Sequence, residues 1–318
     1  MKRFLKYSFK TVVLLISILC VFLLGSSIFH YIQNKKSNVL SNPPGEMVKV
    51  NGHQMHVYKT GSGEETLVMM AGGGTSSPVM DFKTLSKYLK DDYQVVVIEK
   101  AGYGYSEVTD TSRDIDTMLS ETREALKQAG ISDPYILFPH SMSGIEALYW
   151  AEKYPEEVKA IVGLDMATPE AYEELDTPMP LIYIGNLAAK TGIFRWIPHA
   201  DESEAVQYGN LTAQEKDTAQ ALFHQRTSTR NMTEEVKEIK NNADKVNNEK
   251  LEELPMLLFA SNGENTGFDP EVWRDIQHSF AKDNENRNVI DMEAAHYLHN
   301  VRPEKIAHES QLFMEKLD

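Results

Sequence analysis

YILFPHSMSGIEALYWAEKYP, residues 135–155, is the stretch on which the reading of this chain turns. Five residues, Tyr135 to Pro139, suit a short buried strand, and from Ile145 onward the apolar positions fall at helical spacing. Between them His140-Ser141-Met142-Ser143-Gly144 has to make a sharp turn. A serine on a strand-to-helix turn is lifted above the sheet, where the next backbone N–H and the helix N-terminus are available to an oxyanion. Ser141 is therefore the candidate nucleophile. Choosing Ser143 instead would put Ile145 at a crowded position of the turn. The plain alternative is a serine that caps a helix and does no chemistry.

The same pattern repeats on both sides. TLVMMA (66–71), YQVVVIE (93–99), VKAIVGLD (158–165), PMLLFAS (255–261) and NVIDM (288–292) are further short apolar runs, separated mostly by segments of helical spacing. MVKV and QMHVYKT flank Asn51-Gly52, a dipeptide suited to a tight hairpin turn. Strand alternating with helix implies an α/β fold, a mostly parallel sheet covered by helices on both faces. One interval breaks the rhythm, because no comparable strand run lies between Asp165 and Pro255. It reads as a helical lid inserted after the sixth strand, about 169–254, over the sheet edge where open α/β sheets bind ligands. A helical decoration with no part in binding is the alternative.

Charge separates the N-terminus from the rest. The 318 residues carry a net charge of −15, yet the first 38 hold six cations and no acid, so 26 basic residues face 47 acidic ones beyond them. A body that acidic repels phosphate backbones, which excludes nucleic acid as an expected partner. Residues 1–10 are cationic, and Thr11 to Ile32 have no formal charge apart from what His30 takes up, over a length that spans about 30 Å of hydrocarbon as a helix. The cationic flank favours the cytoplasm, so residues 11–32 read as a single-pass anchor that leaves the body outside the cytoplasm. Gly25, Ser26 and Ser27 offer a cleavage site, with a secreted body as the alternative. The apolar residues Ile28, Phe29, Tyr31 and Ile32 beyond that site favour retention of the anchor. Residues 33–46 read as a linker and 47–318 as the folded domain. Cys20, the one cysteine, lies in the anchor, so the body has neither a disulfide nor a cysteine nucleophile.

PHSMSGIEALYWAEKYPEEV (139–158) resembles the nucleophile elbow of the α/β-hydrolase superfamily, G-x-S-x-G, with the helix that follows it. The resemblance extends over about 47–318, with Pro139 and Ser143 standing where the superfamily usually has glycine. Ala71-Gly72-Gly73-Gly74-Thr75 resembles the superfamily's His-Gly-x loop, with Ala71 in place of the histidine. That resemblance implies that the Gly73 N–H joins the Met142 N–H in holding an oxyanion. EKAGYGYS (99–106) resembles the structural turn D-x-P-G-x-G-x-S. NVIDMEAAHYLHNVRPEKIAHES (288–310) resembles the final strand, histidine loop and closing helix, with His296 in the place of the general base. Superfamily members place the orienting acid after either of two strands, and this chain has Asp165 at one, Glu264 or Asp269 at the other. Asp165 has the right length directly at a strand end and is preferred, with Glu264 as the alternative.

His296 and His299 have a spacing that also suits a metal, but no carboxylate-rich motif accompanies them, and neither a metal nor an organic cofactor is expected. His53 and His56, on the strand that follows the hairpin turn, are expected to be exposed strand residues. The resemblance implies hydrolysis of a small-molecule ester, or in second place an amide, through an acyl-enzyme. The apolar LIYIGNLAAKTGIFRWIP (181–198) of the lid points to a medium-sized acyl or aryl group. A proline-releasing aminopeptidase, a lyase or cofactor-free oxygenase using the same triad, and a non-catalytic binding protein on the same scaffold are the alternatives.

Overall fold

A computed structural model describes residues 2–174 and 178–317. Met1, at the head of the cationic segment, residues 175–177, within the expected lid, and Asp318, the last residue of the expected domain, lie outside the described residues. Eight strands among the described residues form one sheet: β1 (Glu46–Val50), β2 (His53–Thr60), β3 (Thr66–Met70), β4 (Gln94–Glu99), β5 (Tyr135–Pro139), β6 (Val158–Leu164), β7 (Met256–Ala260) and β8 (Arg287–Asp291). Their order is β1-β2-β4-β3-β5-β6-β7-β8. Only β2 runs against its neighbours; it pairs antiparallel with β1 and β4, and the other pairs are parallel. The hairpin turn between β1 and β2 has Asn51 at φ 49° and Gly52 at φ 91°, the positive angles that the dipeptide tolerates.

The helices follow in chain order: α1 (Lys2–Ser37), α2 (Pro78–Leu89), α3 (Ile115–Gln128), α4 (Ser143–Lys153), α5 (Pro169–Glu174), α6 (Met179–Thr191), α7 (Glu204–Gln207), α8 (Ala213–Arg226), α9 (Arg230–Ala243), α10 (Pro270–Ala281), α11 (Leu298–Val301) and α12 (Pro303–Met314). Strands β3, β5 and β7 are buried at every position, and apolar at nearly every one, because both faces are covered. Leu67 and Met69 of β3 pack with α2 and α12 on one side, through Phe82, Leu85 and Ile306. Val68 and Met70 pack with α3 and α4 on the other, through Leu126, Leu148 and Trp150. Period-two alternation thus feeds two hydrophobic cores from one strand. Helices α5 to α9 fill the interval between β6 and β7, the insertion that the missing strand run indicated.

Two expectations need correction. His53 and His56 are buried rather than exposed. His56 lies under the turn after β4, with Nδ1 2.9 Å from Glu99 Oε2 and its ring 5.0 Å from that of Tyr105, while His53 faces the buried Glu121 of α3 at 3.6 Å. Strand alternation could not reveal either cover, because both come from elsewhere in the chain. The stretch read as a linker, 33–46, begins inside α1, which continues to Ser37. Among the described residues α1 is the one helix long and apolar enough to cross a membrane.

Candidate active site

Ser141 joins β5 to α4 at φ 54°, a left-handed conformation that a non-glycine residue holds only when its surroundings enforce it. The enforcement is visible in the backbone. His140 N–H donates to Met70 O of β3 at 2.9 Å, and the Ala167 N–H donates to Ser141 O at 2.8 Å. The Ser143 hydroxyl is buried, 2.7 Å from Met70 O and 2.8 Å from His140 O, so it ties the turn to the sheet. Pro139 lacks an N–H, and it falls where the ladder between β5 and β6 lapses, after Leu137 and before the isolated His140–Leu164 bridge. Gly144 is the crowded position, since a Cβ there would lie 2.2 Å from Ala167 O.

His296 comes from the loop after β8, held by its N–H donating to Glu264 O at 3.0 Å. Its Nε2 is 2.8 Å from Ser141 Oγ, and its Nδ1 is 2.6 Å from Asp165 Oδ2. With Nδ1–H donated to the carboxylate, Nε2 carries the lone pair that accepts the serine proton. Asp165 is fully buried at the end of β6, itself at φ 49°. Its Oδ1 accepts from the Ser261 N–H at 2.7 Å and from Trp273 Nε1–H at 2.8 Å. The carboxylate therefore has three donors, which offset the cost of burying its charge. Glu264 is exposed, and no hydrogen bond joins its side chain to His296 among the described residues; Asp269 instead caps α10. The structure thus brings Ser141, His296 and Asp165 into one chain of hydrogen bonds and leaves the other two carboxylates outside it.

Neither the Gly73 nor the Met142 N–H has a hydrogen-bond partner among the described residues. The two loops touch, because a Cβ on Gly73 would lie 2.5 Å from Met142 Cε. Gly73, Met142 and Ser141 open onto a cavity of about 340 Å³ whose roof is built from the insertion: Ile182 and Asn186 of α6 and Met232, Val236 and Ile239 of α9.

Sequence reasoning missed what holds this roof. The turn after β4 sends Lys100 and Tyr103 into the interior, where both meet Glu235 of α9. Lys100 pairs with one Glu235 oxygen, the Tyr103 hydroxyl donates to the other at 2.8 Å, and that hydroxyl accepts the Gly74 N–H at 3.3 Å. Burial, and then the Glu235 charge, holds the Tyr103 phenol well above its ordinary pKa, so it remains a donor. His140, wholly buried, lies behind the site with its ring 4.7 Å from that of His296, and burial keeps it well below the usual histidine range. His299 faces Asp81 Oδ2 at 3.1 Å instead of the serine.

A profile of the alpha/beta hydrolase fold matches residues 65–184. The chain is 34% identical over 298 residues to an uncharacterized protein of Bacillus subtilis, YbdG, with 91% of each chain covered. Over 120 residues it is 32% identical to the human serine hydrolase BPHL, a match covering 36% of this chain and 40% of that one. The crystal structure of a membrane phospholipase A superposes with a TM-score of 0.63 at 18% identity, covering 100% of this chain and 99% of that one. Sheet order, elbow and relatives agree: the chain belongs to the α/β-hydrolase family, and it is a hydrolase. Its substrates are small molecules, as that fold implies.

Proposed function

We propose that this protein is a serine hydrolase acting on carboxylic esters through an acyl-enzyme. Ser141 attacks the carbonyl, His296 takes the serine proton at Nε2 and returns it to the leaving alcohol, and Asp165 holds the imidazole in the required tautomer. The N–H groups of Gly73 and Met142 receive the oxyanion, and water repeats the sequence to release the acid. The observation that carries this reading is the unbroken path from Asp165 through His296 to Ser141, 2.6 and 2.8 Å, ending at an apolar cavity. We further read residues 11–32 of α1 as an uncleaved anchor, residues 1–10 as its cytoplasmic flank, and the domain from 47 to 318 as lying outside the cytoplasm.

The test is turnover of short-chain and medium-chain p-nitrophenyl esters by the full chain in detergent, beside Ser141→Ala and Ser143→Ala. Activity is expected to vanish in Ser141→Ala and to survive in Ser143→Ala. A parent that neither turns over any ester nor reacts with a fluorophosphonate would sink the reading.

A further inference from the structure

Helix α6 has an unusual setting for so apolar a segment, MPLIYIGNLAAKT, in that none of its residues is buried. One face, with Ile182 and Asn186, lines the cavity over Ser141. The opposite face carries Leu181, Ile184 and Leu187 at successive turns, 65%, 64% and 55% exposed. A helix apolar all round belongs either in a core or in lipid. Beyond its C-terminus Trp196 and Ile197 are exposed as well.

Beside this patch, at the C-terminal end of α6 and the turn that follows, lies α1. Ser26 Oγ donates to Thr191 O at 2.7 Å and accepts from Trp196 Nε1–H at 2.9 Å. Arg195 Nε donates to His30 Nδ1 at 3.0 Å, and the Phe29 ring lies 5.6 Å from that of Trp196. From Tyr7 to Val21 the helix is exposed throughout, and Phe22 is where it first meets the body, its ring 6.1 Å from that of Trp196. A span of about 30 Å needs about 20 residues, so an anchor that begins after Lys10 leaves the hydrocarbon near His30. The contacts at Phe22, Ser26, Phe29 and His30 therefore fix Thr191, Arg195 and Trp196 in the outermost part of the hydrocarbon, just inside the interface that tryptophan favours.

We propose that the exposed face of α6, continued by Trp196 and Ile197, is embedded in the surface of the bilayer that α1 crosses, and that the substrate is an acyl ester dissolved in that bilayer and drawn past α6 to Ser141. The occupant of the patch is lipid, because the helix beside it is itself the membrane anchor. Embedding covers the three apolar side chains that the body leaves in water, and it places the wall of the cavity on the lipid phase. The inference rests on the anchor and the Ser141 reading above.

The full chain reconstituted in phosphatidylcholine–phosphatidylglycerol vesicles tests it. Trp150 and Trp273 are buried, so quenching by phospholipid brominated near the headgroup end of the acyl chains reports on Trp196, with Trp196→Phe as the control. Strong quenching is expected. Combining Leu181→Asp, Ile184→Asp and Leu187→Asp should lower turnover of a vesicle-embedded long-chain ester about tenfold, with turnover of p-nitrophenyl butyrate within about twofold of the parent. Equal loss on both esters would overturn the substrate class. No quenching in vesicles that retain the chain would overturn the embedded surface. Quenching without turnover of either ester would uphold the surface and sink the serine-hydrolase reading instead.

Discussion

Asp165 and His296 stand 131 residues apart in sequence, yet Oδ2 of one lies 2.6 Å from Nδ1 of the other. Asparagine at 165 would keep the volume but present an amide, which no longer enforces an Nδ1–H tautomer on the imidazole. Asp165→Asn is expected to reduce kcat on p-nitrophenyl esters by about 10³- to 10⁴-fold with little change in KM. Glu264→Gln should alter kcat by less than about threefold, since its contact with His296 runs through the backbone carbonyl. The opposite pattern would move the acid to the strand after β6.

Ser143 occupies a glycine position of the elbow motif, and its hydroxyl joins β3 to the turn through Met70 O and His140 O. Ser143→Ala removes that tie without touching the pocket. Urea unfolding should show a loss of about 1–2 kcal/mol, with kcat retained. An inactive but fully stable variant would contradict this role.

How far the chain could be read ahead of the structure depended on the range of each interaction. The inner strands β3 to β7 were legible because buried parallel strands are continuous apolar runs, β1 and β2 because Asn51-Gly52 marks their turn, and the elbow because TLVMMA, YILFP and VKAIVGLD each end in the loop that approaches Ser141. Asp165 was left beside Glu264 because sequence gives each a strand end and gives neither a direction. The Trp273 and Ser261 donors that saturate Asp165 left no local signal, as they arrive from α10 and from the end of β7. The same holds for Glu235, which lies 135 residues from Lys100. Burial of His53 and His56 was misread for a related reason, since an edge hairpin reads as solvent-facing until the turn after β4 and the helix α3 are laid over it.

Lys100 and Glu235 form an ion pair buried between the turn after β4 and α9. Removing the Glu235 carboxylate leaves the buried Lys100 facing Glu146 Oε2 at the longer distance of 3.9 Å, so Glu235→Gln should cost about 3 kcal/mol in unfolding experiments. The combination Lys100→Met with Glu235→Leu should recover most of that loss. Because the Tyr103 hydroxyl bridges Glu235 to the Gly74 N–H, the double variant should still show a lower kcat than the parent. Full recovery of both stability and kcat would mean that the pair does not position the glycine loop.

His140 gives stability a pH dependence whose sign follows from its surroundings. In the neutral form its Nε2–H reaches His296 O at 3.2 Å, and its buried Nδ1 has no hydrogen-bond partner among the described residues. Protonation would bury an unmatched N–H and a positive charge, so burial first, then the neighbouring His296 and His299, hold the pKa well below the ordinary histidine value. The unfolded chain then binds a proton that the folded chain refuses, which lowers stability as pH falls below about 6.5 and leaves it unaffected above. His224, lowered by burial and by the Arg195 charge, acts in the same direction. The unfolding free energy of the full chain in detergent, taken from urea titrations, should therefore decline as pH falls from about 6.5 to 5, with a slope near 1 kcal/mol per pH unit. His140→Gln will have its own offset at the higher pH, so the diagnostic is the slope. A shallower decline in the variant assigns the effect to His140, and an unchanged one assigns it elsewhere.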